Sequence, residues 1–175
     1  RARYGLMLNE NGVIIDDGVF VKLANDHFLV NTTSGGVARI ADMMEEWLQC
    51  EWRDLEVVID DVTSQWANFT IAGPHSASVI ESLGTDIDLS GPALPHMSAA
   101  TGHVAGLEAR IVRVSFSGER SYEINVPAAY APSFFEAVMD AGQPHGIEPY
   151  GVEALMIMRL EKGYRAWKGD LSTDY

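Results

Sequence analysis

The stretch NENGVIIDDG, residues 9–18, decides how the fold begins and carries two adjacent carboxylates. Asn11-Gly12 is a strong β-hairpin signal because both residues tolerate positive φ, and the β-branched run after it is typical of a strand. Successive side chains of a strand point to opposite faces, so Asp16 and Asp17 are expected on different sides of the sheet. One of them can then face a cleft while the other meets solvent or caps the following turn. An ordinary solvated strand end also explains such a pair.

The first third of the chain predicts an antiparallel meander followed by a helix. Asn-Gly and Asn-Asp turn signals separate three strand-like runs: residues 3–8, 13–23 and 27–31. Residues 37–49 have apolar side chains at helical spacing with acids between them, which predicts an amphipathic helix. The apolar stripe, expected to lie in the core, consists of Ile40, Met43, Met44 and Trp47.

The remaining two thirds mix short strands with helices, so the predicted fold class is α+β with antiparallel sheets. A Gly-Pro turn at Gly73-Pro74 is expected to open a helix. Gly163 is expected to end the last one in a left-handed conformation. The predicted elements are apolar runs at 56–60 and 67–72, a helix at 77–83, a loop at 84–102, a hairpin of 108–116 and 121–126, and helices at 131–141 and 152–162.

Composition narrows the classes of partner. The chain has 175 residues and a formal net charge of −13, which opposes binding to nucleic acid or to an anionic membrane. The single cysteine, Cys50, cannot form an internal disulfide and is expected to be a half-buried structural thiol, as fits a reducing cytoplasm. No apolar run is long enough to span a bilayer, and the histidines lack metal-ligand spacing, so a soluble protein without a metal is expected. Both ends interrupt a predicted element, which suggests a fragment of a longer protein.

Glu123 marks a second candidate site. In the run SYEINV, residues 121–126, the apolar face is formed by Tyr122, Ile124 and Val126, so Glu123 shares the opposite face with polar neighbours. A water-facing strand explains this pattern. A carboxylate at this position can also accept two N–H donors from a heterocycle, a strong and directional contact. The residues alone leave both interpretations open.

The ordered motifs resemble the aminomethyltransferase (glycine cleavage T-protein) superfamily. The resemblance spans nearly the whole chain, and its details are most similar to the folate domain of sarcosine oxidase alpha subunits and to sarcosine and dimethylglycine dehydrogenases. The motifs that carry it are NENG with Asp16-Asp17, AGP at 72–74, SGE at 117–119 with YEI at 122–124, RLEKGY at 159–164, and YRAW with Gly169-Asp170.

The resemblance implies a site and a cofactor. Asp17 takes the position of the catalytic carboxylate, and Glu123 that of the glutamate that holds the pterin ring of tetrahydrofolate. Other matches to pocket positions are Tyr4, Asn31 and Phe116, with Arg159 as a further cofactor-binding candidate. The implied activity is transfer of a one-carbon unit from an oxidised N-methyl amine, such as sarcosine, dimethylglycine or a glycine-derived donor, to give 5,10-methylenetetrahydrofolate.

The resemblance also implies partners and a division of the chain. No Gly-x-Gly-x-x-Gly follows a strand, so the flavin that amine oxidation requires is expected on a partner domain or subunit. Residues 1–56 are expected to form part of an antiparallel lobe with one helix. Residues 57–175 are expected to form a ferredoxin-like lobe, with folate between the two.

Two departures from the T-protein pattern change the expected pocket. Phe116 stands where the T-protein has a tyrosine, which keeps a stacking ring and removes a hydroxyl. Leu155 stands where the T-protein has an arginine that helps to hold folate. Both replacements resemble the sarcosine oxidase branch.

Three rival functions remain open at the level of sequence. A non-catalytic folate-binding protein of the branch that assists iron–sulfur assembly is marked by Lys-Gly-Cys, whereas this chain has Lys162-Gly163-Tyr164. A folate-dependent demethylase of a sulfonium compound is a second. A domain that has lost its chemistry and packs against a flavin oxidase is a third.

Overall fold

The computed structural model describes residues 1–172, and its first part is a three-stranded antiparallel sheet of order β1-β2-β3. The strands are β1 (Ala2–Leu8), β2 (Ile14–Lys22) and β3 (Phe28–Val30). Gly12 adopts φ 76°, and the side-chain oxygen of Asn9 accepts hydrogen bonds from the backbone N–H of Asn11 and of Val13. The predicted meander and its Asn-Gly turn are therefore confirmed.

Helix α1 (Val37–Cys50) follows this sheet and has the predicted period. Its apolar stripe is not core throughout: Ile40 is buried, but Trp47 is 37% exposed, and both of them line an open cleft together with Met44. The spacing of the stripe defined a helix and did not reveal what would cover it. Cys50 is exposed, so the expected half-buried thiol was wrong.

The second part is a four-stranded antiparallel sheet of order β4-β7-β6-β5, with helices α2 and α3 on one face. Tyr122, Ile124 and Val126 of β7 point toward these helices and pack with Ile80 and Phe134 in the main core. The elements are β4 (Trp66–Ala72), α2 (Ser76–Ser82), β5 (Ser98–Val104), β6 (Leu107–Arg113), β7 (Ser121–Pro127), α3 (Ala131–Gly142) and α4 (Val152–Glu161). Single turns of 3₁₀-helix lie at Thr63–Gln65, Ala128–Tyr130 and Gln143–His145.

Three expectations about this part need correction. The region 84–102, predicted as loop, contains most of β5, whose sequence SAATGHV gives no apolar alternation. Strand β6 ends at Arg113 and not at 116, because residues 114–120 form the turn, in which Gly118 adopts φ 87°. Residues 56–60 form no regular element.

The α+β class with antiparallel sheets is confirmed, and the connectivity of the second lobe differs in one respect from a ferredoxin-like unit. That unit runs βαββαβ, whereas residues 66–142 run βαβββα. The physical reason is that β6 and β7 are antiparallel neighbours joined by the short loop 114–120, so no helix is needed to cross between them. The predicted boundary near residue 56 falls in a stretch without regular structure and stays a prediction.

The two sheets meet at a small seam, which we define as Ala2, Val21, Val112 and Val114. The backbone N–H of Ala2 donates to the carbonyl of Met97 at 2.9 Å, which ties the start of β1 to the residue before β5. The three-stranded sheet therefore lies against the face of the four-stranded sheet that α2 and α3 leave free. Within residues 1–172, none of the helices is long and apolar enough to cross a membrane.

Candidate functional site

Asp16 and Asp17 have separate tasks, as the alternation of β2 predicts. Asp16 is completely buried and accepts hydrogen bonds from the backbone N–H of Thr33 at 3.1 Å and from its hydroxyl at 3.0 Å. Arg39 of α1 reaches the same carboxylate at 3.4 Å. Asp16 therefore fixes the turn that leads into α1, and it is fully occupied by protein donors.

Two glycines make room for this arrangement. A methyl group on Gly36 would overlap the Asp16 carboxylate, and one on Gly18 would overlap the backbone carbonyl of Asn31. Asn31 is thereby held against β2, where its N–H donates to the carbonyl of Val19 at 3.0 Å. In the sequence Asp-Asp-Gly, Asp16 thus anchors a turn and Asp17 presents a carboxylate. Gly18 leaves room for the neighbouring segment at Asn31.

Asp17 points to the other face, and within residues 1–172 its side chain has one hydrogen bond, accepted from the hydroxyl of Tyr4 at 2.7 Å. The two residues share a face because Leu6, two residues after Tyr4, is paired with Asp17 in the register of β1 and β2. Partial burial, the hydrogen bond to Asp17 and the charge of that carboxylate raise the pKa of Tyr4 to about 12. Tyr4 is therefore a protonated donor that orients Asp17.

Glu123 lies on the helix-free face of the four-stranded sheet, opposite Thr70 and Val112 on the neighbouring strands. Its side chain is half-buried. Burial raises the pKa of Glu123, and the amide of Asn68 acts in the opposite direction. A carboxylate in this position gains from any ligand that donates N–H groups to it.

Polar groups beside Glu123 are left without protein partners. The hydroxyl of Ser121 is buried and has no hydrogen-bond partner among the described residues. Asn125 is also buried, and no protein group within residues 1–172 bonds its side-chain amide. Buried polar groups are normally satisfied, so this row suits a flat ligand rich in donors and acceptors.

One open cleft of about 2110 Å³ brings the predicted residues together. Five of the six predicted site residues line it: Tyr4, Asp17, Asn31, Phe116 and Glu123. They come from the three-stranded sheet, from the segment after β3, from the loop after β6 and from β7. Leu155 also lines the cleft. By the resemblance, the T-protein has an arginine at this position.

Arg159 is placed elsewhere. It is 5% exposed, and its guanidinium contacts the carboxylate of Asp170 and donates to the carbonyl of Tyr164 at 3.0 Å. Asp170 in turn accepts from the backbone N–H of Ala166 at 2.7 Å. This arrangement holds the turn 164–171 in place, and among the described residues Arg159 is not part of the cleft wall.

Sequence reasoning missed three aromatic and cationic residues of the cleft wall. Arg110 of β6 stacks on the indole of Trp66 of β4, with its Cζ 3.7 Å from the ring centroid. Trp167 donates from its indole nitrogen to the carbonyl of Ile14 at 3.1 Å and packs under Arg39. Alternation along β4 and β6 would have placed Trp66 and Arg110 on polar faces, but their pairing depends on sheet order.

Comparison with known proteins identifies the family. The family described as GCVT N-terminal domain matches residues 1–175, the entire sequence. The chain belongs to this family. Among curated relatives, this GCVT-family chain is 45% identical over 164 residues to "Sarcosine oxidase subunit alpha" of Corynebacterium sp. (strain P-1), covering 93% of the chain and 17% of that protein. It is 31% identical over 173 residues to "Aminomethyltransferase" of Streptomyces avermitilis, covering 99% of the chain and 45% of that protein.

Solved structures show the same fold. The glycine cleavage system aminomethyltransferase T from Bartonella henselae superposes with a TM-score of 0.82 at 24% identity, over 99% of this chain and 44% of that one. The heterotetrameric sarcosine oxidase from Corynebacterium sp. U-96, in complex with pyrrole 2-carboxylate, gives a TM-score of 0.61 at 18% identity, over 77% and 64%. The GCVT-family chain thus spans less than half of the aminomethyltransferases and about a sixth of the sarcosine oxidase subunit that it matches.

Proposed function

We propose that this chain binds tetrahydrofolate in the cleft and transfers to it a one-carbon unit from an oxidised N-methyl amine, giving 5,10-methylenetetrahydrofolate. The observation that carries the proposal is that Asp17 and Glu123, on different sheets, line the same cleft. One carboxylate is free to serve a reacting centre, and the other is suited to hold a ring. The family and the names of its relatives support the same activity.

Glu123 would hold the ring of the cofactor. Its half-buried carboxylate can accept two N–H bonds from an amino-pyrimidinone edge, and Ser121 and Asn125 offer further polar contacts beside it. Phe116, 37% exposed in the loop after β6, supplies an apolar surface for a flat ring. When bound, tetrahydrofolate supplies the nitrogen atoms that take up the one-carbon unit.

Asp17 would provide the electrostatic part of catalysis. Transfer from an amine or iminium donor builds positive charge at nitrogen, and a fixed anion stabilises that charge without reorganisation. Tyr4 keeps one oxygen of Asp17 in place through its 2.7 Å hydrogen bond. The second oxygen has no side-chain donor among residues 1–172 and can face the reacting atoms.

The oxidation that generates the donor is assigned to a separate flavoprotein domain or subunit. Relatives include the alpha subunit of sarcosine oxidase, and a solved sarcosine oxidase relative is heterotetrameric. We infer that sarcosine, dimethylglycine or a glycine-derived amine is the class of donor. A cleft whose wall contains Asp17, Glu123 and further acids suits a donor that becomes cationic.

Calorimetric titration of folinic acid, a stable tetrahydrofolate analogue, tests the proposal. We expect the chain to bind it, Glu123→Ala to lose binding, and Asp17→Asn to retain binding while losing transfer from an oxidised donor. Thermal unfolding of each variant checks that it is folded. Absence of binding by the folded parent chain, repeated with a longer polypeptide, would instead favour a domain that only packs against a flavoprotein.

A further inference from the structure

Arg110 occupies a position in the cleft that the roles of Asp17 and Glu123 leave unexplained. It faces the cleft from β6, and its partner in the register is Asn125, two residue pairs along from the pairing of Val112 with Glu123 and therefore on the same face of the sheet. Its guanidinium extends across β7 to lie on the indole of Trp66, 3.7 Å from the ring centroid. Stacking on an aromatic face fixes the plane of a guanidinium and leaves the N–H groups at its edge free.

The donors of Arg110 have no acceptor among the residues that the structure describes. The side chain is half-buried, yet within residues 1–172 it makes no hydrogen bond and no ion pair. Arg113, on the same strand, shows the usual arrangement by donating to the carbonyl of Leu94 at 2.6 Å. Burial lowers the pKa of Arg110, and the charge of Glu108 opposes that shift. A half-buried guanidinium has five N–H donors, and here none of them bonds a group within residues 1–172. Arg110 is therefore suited to bind an anion.

The charges of the cleft single out the same residue. The acids of the wall are Asp17, Asp26, Glu56, Asp60, Asp61 and Glu123. Its two arginines are Arg110 and Arg165, and the charge of Arg165 already acts on Asp170. An anionic group that enters this acidic cleft is therefore repelled by most charges of the wall and attracted by Arg110 and Arg165, of which only Arg110 is half-buried and held on an aromatic ring. The amide of Asn125, which faces Arg110 across the strand pair and lines the same cleft, can donate a further hydrogen bond.

We propose that Arg110, held flat by Trp66 and assisted by Asn125, is a carboxylate-binding subsite of the cleft. The planar guanidinium edge donates two parallel N–H bonds to the two oxygens of one carboxylate. Two ligands of the proposed function carry this group: the glutamate end of folate and an amino-acid amine donor. The identity of the ligand rests on the proposed function, whereas the subsite itself rests on the geometry of Arg110.

Two pairs of probes, titrated into the full chain by calorimetry, test the subsite and distinguish its sources. The first pair is folinic acid and its pteroate counterpart without glutamate. The second pair is N-methylglycine and its amide, which lacks the negative charge. In the parent chain, the carboxylate-bearing member of at least one pair is expected to bind about 10- to 100-fold more tightly.

The variants assign that preference to Arg110. Arg110→Gln should abolish it, Arg110→Lys should keep only part of it because an ammonium cannot form the planar pair of bonds, and Trp66→Leu should weaken it. Arg53→Gln, an exposed arginine outside the cleft wall, should change nothing. Unfolding curves show whether each variant is folded. If Arg110→Gln does not fold, Arg110→Lys still tests the subsite.

Each outcome decides the proposal. A preference confined to the first pair assigns the glutamate end of folate, and one confined to the second assigns the amine donor. The proposal is overturned if the parent shows no preference in either pair, or if Arg110→Gln retains it. Failure of the proposed folate function can be distinguished from failure of the subsite. In the first case neither pterin ligand binds, while the second pair of probes still reports on Arg110.

Discussion

At the scale of single residues, the hydrogen bond between Tyr4 and Asp17 can be measured without any ligand. Because burial and the Asp17 carboxylate raise the pKa of Tyr4 to about 12, Tyr4 should ionise later than a free tyrosine in an absorbance titration. Asp17→Asn removes the charge and should lower that pKa toward its ordinary value. The signal is assigned by Tyr4→Phe, which should remove one late-titrating tyrosine. Equal titration curves for the parent and Asp17→Asn would contradict the pairing.

Asp17 itself should affect rate more than binding. We expect Asp17→Asn to reduce one-carbon transfer about 100- to 1000-fold, the magnitude typical of losing one preorganised electrostatic group. Tyr4→Phe leaves the carboxylate and removes only its orienting donor, so its loss should be smaller. Single-turnover transfer with a preformed oxidised donor separates this step from donor oxidation. A weaker affinity for folinic acid with an unchanged transfer rate would show that Asp17 binds and does not catalyse.

The raised pKa of Glu123 makes ligand binding depend on pH. A protonated Glu123 cannot accept two N–H bonds, so the affinity for folinic acid should fall as pH falls through the raised pKa, above the ordinary value of 4.5. For the free protein the sign is opposite: a raised folded pKa means that stability is lost as pH rises through it. Glu123→Gln should remove both dependences. Affinity and unfolding measured from acid to neutral pH provide the comparison.

At the scale of elements, the turn between β3 and α1 depends on Gly36. Gly36→Ala places a methyl group against the Asp16 carboxylate and should destabilise the fold by about 1–3 kcal/mol, the usual cost of overpacking. Gly35→Ala is the matched control, because a methyl group there meets nothing within 4 Å. Chemical unfolding of both variants measures the difference. Equal stability would mean that this turn adapts and does not fix Asp16.

Local sequence predicted the elements whose side chains alternate or repeat, and it missed those that do not. The Asn-Gly turn predicted strand β2, and the apolar stripe predicted helix α1. Alternation in β7 predicted the face on which Glu123 lies. Strand β5 has small and polar residues, so its pairing with β6 is visible only in three dimensions. For the same reason Trp66 and Arg110, far apart in sequence, could not be paired without the order of the strands.

At the scale of the whole molecule, Arg159 is expected to matter for stability. Removal of its buried guanidinium leaves the carbonyl of Tyr164 without this donor and the carboxylate of Asp170 with only the backbone N–H of Ala166, so Arg159→Ala should lower the free energy of unfolding. Hydrogen bonds from the backbone N–H of Ala166 and from the Arg159 guanidinium lower the pKa of Asp170, so its contribution to stability is present above the ordinary value of 3.8 and lost as pH falls below it.

Asp170→Asn is the matched variant for that interaction. It keeps the size of the side chain, and it should also weaken the turn 164–171. Folinic acid should still bind to both variants wherever they remain folded. If a folded Arg159→Ala variant cannot bind folinic acid, Arg159 contributes to cofactor binding and is not only structural.

Packing at the seam between the two sheets sets how far apart their two carboxylates lie. Asp17 lies four residues along β2 from Val21 of the seam, roughly 13 Å at the usual strand rise, and Glu123 lies directly beside Val112. Each sheet carries one of these carboxylates, and the distance between them depends on how four aliphatic side chains of the seam pack, of which only Val114 also lines the cleft within residues 1–172. A change in side-chain volume at Ala2 or Val21 would therefore change the width of the cleft while leaving every residue of the cleft wall as it is.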